Sequence, residues 1–156
     1  MARLFGIELV PAAVPRTATF LEAAEILAAH PVATIAVLGE EEEVVGLFGD
    51  ADLLSGFFPA YLAELRHTAF ATDDEGLLAD RTRAVAREPV EKHMRRPVAL
   101  DLETSAVHAA ERFLHCDFAA LPVADRGAFV GMLGRAEFCR AILREWAEQT
   151  DAPRPS

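Results

Sequence analysis

Residues 97–143 read PVALDLETSAVHAAERFLHCDFAALPVADRGAFVGMLGRAEFCRAIL, and this stretch decides the fold. A short apolar strand, Pro97–Leu100, leads into an Ala-rich helical run, and a second strand ends in Leu121-Pro122-Val123. Asp125-Arg126-Gly127 then separates two apolar runs, which predicts a hairpin turn because Gly takes positive φ at no steric cost. Phe129–Leu133 is the returning strand, and a closing helix follows.

The same order of elements occurs earlier in the chain. An offset of 86 places Pro11 on Pro97, Ala23-Ala24 on Ala109-Ala110, and Ile35-Ala36-Val37 on Leu121-Pro122-Val123. One extra residue in the acidic run Glu40–Glu43 changes the offset to 85, so that Gly46-Leu47-Phe48-Gly49-Asp50-Ala51-Asp52 falls on Gly131-Met132-Leu133-Gly134-Arg135-Ala136-Glu137. Each half reads strand–helix–strand–strand–helix. Two similar units about a pseudo-twofold axis are expected.

Outward from these units, Phe5–Val10 reads as a first strand ended by Pro11. Thr19 is placed to cap a helix, with Glu22 as its capping-box partner. His30-Pro31 stops that helix, and Thr34–Leu38 and Val44–Phe48 form a hairpin around Gly39 and the four glutamates. A helix from about Ala51 to Arg66 is expected to kink or break at Pro59. Phe70–Gly76 reads as a loop carrying Asp73-Asp74-Glu75, Leu77–Arg87 as a helix, and Val90–Met94 as a helical turn. The expected division is a first repeat over 1–66, a connector over 67–88, a second repeat over 89–149 and a flexible tail over 150–156.

With 156 residues, 52% of them hydrophobic, the chain can bury a sizeable core. No apolar run reaches membrane-span length, and the N-terminus lacks the pattern of a secretory leader. Two cysteines make no disulfide framework, which fits a reducing cytoplasm. The net charge of −10 sits in the first half: residues 1–78 hold three basic groups against 13 acidic, while residues 79–156 balance at 12 each. Such a surface repels a phosphate backbone, so nucleic acid is not an expected partner, and neither is a membrane.

The residues Leu121-Pro122-Val123-Ala124-Asp125 and Val130-Gly131-Met132-Leu133, after a short helix, a strand and an Ala-rich helix, resemble the cystathionine-β-synthase-type domain, the CBS domain. The first half is similar but lacks the proline. The resemblance implies an α+β fold of two pseudo-symmetric CBS repeats (β-α-β-β-α) packed through their sheets. It further implies a stand-alone regulatory module, a Bateman module, that is not an enzyme and commonly forms a homodimer. Its implied ligand is an adenosine-containing molecule (AMP, ADP, ATP or S-adenosylmethionine), with no resident cofactor or metal, and its effect passes to a protein partner of unknown identity. Ligand-binding positions carried over are Val14, Gly46, Gly49, Asp52, Leu100, Ala120, Leu121, Pro122, Gly131, Gly134, Arg135 and Glu137.

Both halves depart from the family's ligand motif, in which a hydroxyl residue precedes an Asp by three. Gly49 and Gly134 stand at the hydroxyl positions, Asp52 and Glu137 at the acid. Asp50 follows the first glycine and Arg135 the second. A phosphate would meet like charge beside Asp50 and a bidentate donor beside Arg135. The expectation is phosphates toward Arg135, with the Asp50 side empty or holding an uncharged adenosyl group. A missing hydroxyl costs about 0.5–1.5 kcal/mol, which is tolerable. The alternative is a structural or interaction protein with degenerate sites.

The remaining candidates are weaker. Arg81, Arg83, Arg87, Lys92, Arg95 and Arg96 could reach a polyphosphate or the acidic first half, but a solvated face paired with Asp80, Glu88 and Glu91 is the favoured reading. His108, His115, Cys116 and Asp117 lack metal-ligand spacing, and Cys116 reads as a small hydrophobe. Phe57, Phe58, Tyr61, Leu62 and Leu65 are either a dimer face or packing under the connector, the former favoured.

Overall fold

A computed structural model of the chain describes residues 2–58 and 73–151. Strands β1 (Arg3–Leu4) and β2 (Ile7–Glu8) form a small hairpin, followed by β3 (Ala13–Pro15), helix α1 (Phe20–Ala29), β4 (Thr34–Leu38), β5 (Val44–Gly49) and α2 (Asp50–Phe57). Helix α3 (Asp73–Ala86) and a 3₁₀ turn (Val90–Lys92) lead to β6 (Leu100–Asp101), α4 (Ala106–Leu114), β7 (Ala120–Asp125), β8 (Ala128–Gly134) and α5 (Arg135–Asp151). The repeat units are two three-stranded sheets, β3-β4-β5 and β6-β7-β8, packed on each other chiefly through β4 against β7 and β8.

Register carries the repeat down to single residues. Val14 pairs in parallel with Val37, and Leu100 with Val123. Thr34 pairs with Gly49, and Ala120 with Gly134. A bulge follows Val37 in one hairpin and Val123 in the other. Because side chains alternate faces along a strand, equal register and equal bulges put equivalent side chains on equivalent faces. The Asp125-Arg126-Gly127 turn forms as expected, with φ of 52° at Arg126 and 84° at Gly127, the signature of a two-residue primed turn.

Each unit is completed by the segment that leads into the other. Val10 bonds in both directions to Met132 on β8, and Arg95 in both directions to Leu47 on β5. The segment after α3 caps the first unit: the Phe20 N–H donates to the Glu88 carbonyl and the Val90 N–H to the Ala18 carbonyl. Arg16 closes this junction with an ion pair to Glu91, whose hydrogen bond and charge hold the guanidinium above its ordinary pKa. The core is continuous across both sheets, with Ile35, Leu47, Phe48, Leu121, Val123, Met132 and Leu133 among its fully buried members.

Several local expectations change. Phe5–Val10 is not one strand: Phe5 and Gly6 turn with φ of 55° and 74°, and the Phe5 ring lies 5.4 Å from Phe138 of α5. That tertiary contact holds a non-glycine residue in the left-handed region, which local pattern does not signal. Leu100–Asp101 is the paired part of the strand expected over Pro97–Leu100, since proline has no N–H for a ladder. Asp73, Asp74 and Glu75 are helical rather than a loop, in keeping with acids at a helix start. The expected helix end near Arg66, the break at Pro59 and the tail after Asp151 lie outside the described residues.

The Thr19 cap forms as expected: its hydroxyl oxygen accepts from the Glu22 N–H at 3.2 Å and its O–H donates to the Glu22 carboxylate at 3.2 Å. Thr19→Ala should cost about 1 kcal/mol, and Thr19→Ser should keep most of it. Urea denaturation checks this, and equal midpoints for the wild type and Thr19→Ala would contradict the cap.

Candidate functional site

The two candidate clefts begin where β5 turns into α2 and where β8 turns into α5. Both turns are locked in the same way: the Asp50 N–H donates to the Ala33 carbonyl at 3.0 Å, and the Arg135 N–H to the Ala119 carbonyl at 2.8 Å. Beyond this backbone match the side chains diverge.

In the first cleft, Asp52 is nearly buried and its Oδ2 accepts from the Gly49 N–H at 2.8 Å. Arg95, arriving from the other half, places Nε 2.9 Å from Asp52 Oδ1 and 3.2 Å from Oδ2. Its guanidinium carbon lies 4.1 Å from the centroid of the Phe118 ring, a cation–π distance. A Cβ on Gly49 would stand 3.2 Å from the Ala33 carbonyl oxygen and 3.3 Å from the Thr34 hydroxyl. Glycine is there because the next strand approaches closely, and the hydroxyl near this helix start belongs to the buried Thr34.

In the second cleft, Glu137 folds back over the helix start and pairs with Arg140 at 2.9 Å, both largely exposed. A Cβ on Gly134 would find its nearest atoms on the Glu137 side chain, with the movable carboxylate at 2.8 Å, where one on Gly49 meets a backbone carbonyl at 3.2 Å. Arg135 is exposed, makes no ion pair among the described residues, and lines a hollow with Phe113, Cys116 and Phe138. Cys116 and Cys139 are free thiols.

The other sequence-predicted residues serve the frame. Val14 and Leu100 are buried in the parallel strand pairs, and Ala120, Leu121 and Pro122 are buried in β7. Gly46 and Gly131 lie under the crossing segments: a Cβ on either would press into Met94 or Leu9, respectively. Of the predicted set, the structure brings Gly49 and Asp52 together at one cleft and Gly134, Arg135 and Glu137 at the other.

Arg95 and Phe118 are the residues that sequence reasoning missed as cleft members. Arg95 had a weak signal, an arginine in a basic run, and the solvated-face reading is corrected for it. That reading holds for Arg83, which pairs with Asp80 at 3.4 Å; Arg81 instead donates to the Gly56 carbonyl at 3.3 Å. Of the other two acids assigned to that face beside Asp80, Glu88 meets His93 at 2.8 Å and Glu91 meets Arg16. Phe57 is corrected as well, because its ring packs 4.9 Å from Phe20 inside the first unit; Phe58 is exposed, and 61–65 lie outside the described residues. Among the described residues, no group of three or more His, Cys, Asp or Glu could hold a metal, and no helix is long and apolar enough to cross a membrane.

Comparison with known proteins places this geometry. The crystal structure of a CBS-pair protein, CBSX2 of Arabidopsis thaliana, is 25% identical and superposes with a TM-score of 0.65, covering 89% of this chain and 93% of that one. CBSX2 in complex with AMP gives 24% identity, coverage of 85% and 88%, and a TM-score of 0.60. A CBS domain protein of Pyrobaculum aerophilum complexed with AMP gives 22%, coverage of 91% and 95%, and 0.65. No match was found among curated proteins. The CBS domain model matches residues 9–58 and 90–144, one stretch in each repeat. With both repeats matched and the sheets paired as the family pairs them, the chain belongs to the CBS domain family.

Proposed function

We propose that the chain is a regulatory module that binds an adenosine-containing ligand, AMP, ADP, ATP or S-adenosylmethionine, and transmits that binding to a protein partner. The observation that carries this reading is Arg135: an exposed guanidinium, unpaired among the described residues, at the first position of a 17-residue helix. Guanidinium and helix start both favour an anion there, and Glu137, three residues after Gly134, can accept from ribose hydroxyls. The AMP-bound relatives support the ligand class. No catalytic step is assigned to the module. Exposed Leu114, Leu143 and Trp146 put large apolar side chains on the outer surfaces of α4 and α5, which supports a homodimer, and the two free cysteines suit a reducing cytoplasm.

A thermal-shift panel of these ligands, with adenosine added, tests the reading. Ligand at about 100 times Kd adds about 2.7 kcal/mol of stability, and at about 2–4 °C per kcal/mol the Tm should rise by roughly 5–10 °C. Arg135→Ala should weaken AMP binding about tenfold or more, the worth of a charged hydrogen bond, while leaving adenosine affinity nearly unchanged. Equal AMP affinity in Arg135→Ala would remove the phosphate assignment. A second reading, a scaffold with degenerate sites, draws on the glycines at both hydroxyl positions and on Asp52 being already paired; no Tm shift with any ligand at millimolar concentration would favour it.

A further inference from the structure

We propose that Arg95 is the specificity-determining residue of the pair of clefts: it occupies the first cleft in place of a ligand and restricts nucleotide binding to the second. The inference rests on the adenosine-ligand reading above and concerns which cleft serves it.

The geometry is that of a site filled from within. Asp52 is the carboxylate a ribose diol would need, and it is already engaged: one oxygen by the Gly49 N–H, both by Arg95 Nε. A neutral diol would have to displace a charge-assisted hydrogen bond to a carboxylate whose side chain is only 10% exposed. Displacement would also strip the guanidinium from the Phe118 ring, itself buried. A terminal guanidinium nitrogen lies 3.6 Å from where a Cβ on Gly49 would be, so the arginine fills the volume beside the helix start as well as holding the acid. It cannot retreat with its backbone, because the Arg95 N–H and carbonyl are bonded to Leu47 at 2.9 and 3.0 Å.

The pseudo-symmetric position supplies the contrast. Val10 makes the corresponding two bonds to Met132, at 3.0 and 2.7 Å, and brings no charge. The partner of Glu137 is Arg140 on the same helix, an exposed (i, i+3) pair that water already competes for and that a ligand displaces cheaply. Two backbones with one register therefore present one closed acid and one available acid.

Isothermal titration of AMP into the full chain tests this, with circular dichroism on every variant. The wild type should bind one AMP per chain. Arg95→Ala should bind two, and adding Asp52→Ala should return it to one. Arg95→Gln, which keeps the stem as far as Cδ and a polar end but removes the charge and the guanidinium, serves if the alanine variant does not fold, and should also gain a site. Two sites in the wild type would overturn the proposal, as would no gained site in either Arg95 variant, including the case in which no protein binds AMP at all. If the wild type binds none and Arg95→Ala binds one, Arg95 is upheld as the residue closing the first cleft, and it is the phosphate assignment to Arg135 that fails.

Discussion

Phe20→Ala should unfold the protein at a markedly lower denaturant concentration, with a loss of about 3–5 kcal/mol, the usual range for emptying a buried aromatic site. The ring is fully buried, and its neighbours come from three other parts of the chain. Its centroid lies 5.3 Å from Phe48 at 88°, 4.9 Å from Phe57 and 4.7 Å from His93. Gly56 of α2 is small for the same reason, since a Cβ there would stand 2.6 Å from the Phe20 ring. The void would thus open between α1, β5, α2 and the 3₁₀ segment, and no single side chain spans it. Domains commonly hold about 5–15 kcal/mol in total, so this one truncation removes a large share. At about 2–4 °C per kcal/mol, the Tm should fall by roughly 6–20 °C. Phe20→Leu should cost about 1.5 kcal/mol or less. A loss under about 1 kcal/mol for the alanine variant in urea titration would mean that the ring cluster is not a structural centre.

The second large effect is expected where the two repeats differ under the same backbone. Gly131→Ala should destabilise by about 1–3 kcal/mol or more, whereas Gly46→Ala at the equivalent position should cost about 1 kcal/mol or less. A Cβ on Gly131 would stand 2.5 Å from Leu9 Cβ and 3.2 Å from the Leu9 carbonyl carbon. Those atoms belong to a segment held by the Val10–Met132 pair and by the Leu9 N–H donating to the Ala2 carbonyl at 3.0 Å, so they cannot step aside. On Gly46 the nearest atoms are Met94 Sδ and, at 2.8 Å, Cγ, which other rotamers of this unbranched side chain can move away, and the fixed Met94 Cβ stands at 3.1 Å, farther than the 2.5 Å of Leu9 Cβ at Gly131. Paired urea titrations read the difference. Equal losses would show that the crossing segments, rather than the atoms touching each glycine, set the cost.

Much of the frame was legible because it is written in short-range patterns. Offsets of 86 and then 85 aligned the halves, and the register places Val14 and Leu100, Gly49 and Gly134 at equivalent ladder positions. The Thr19–Glu22 cap and the Asp-Arg-Gly turn follow from residue chemistry over three or four positions, a range that sequence displays directly. The turn at Phe5-Gly6 was not legible, because the residue in the left-handed region is held there by a ring on α5, more than a hundred positions away.

The candidate site divides along the same line. Sequence alone determined the repeat, the apolar runs split by turn residues that make both hairpins, and the loss of the motif hydroxyl at Gly49 and Gly134, since each is local to a few residues. Only the tertiary structure decided what each acid meets. Arg95 is 43 positions from Asp52 and reaches it because the segment before the second repeat pairs with a strand of the first. Register carries a backbone through both halves alike, but the side chain delivered at the crossing is Val10 in one and Arg95 in the other. A charge introduced at that point is worth far more beside a nearly buried carboxylate than on an open helix face, and the depth of burial is a property of the assembled sheets.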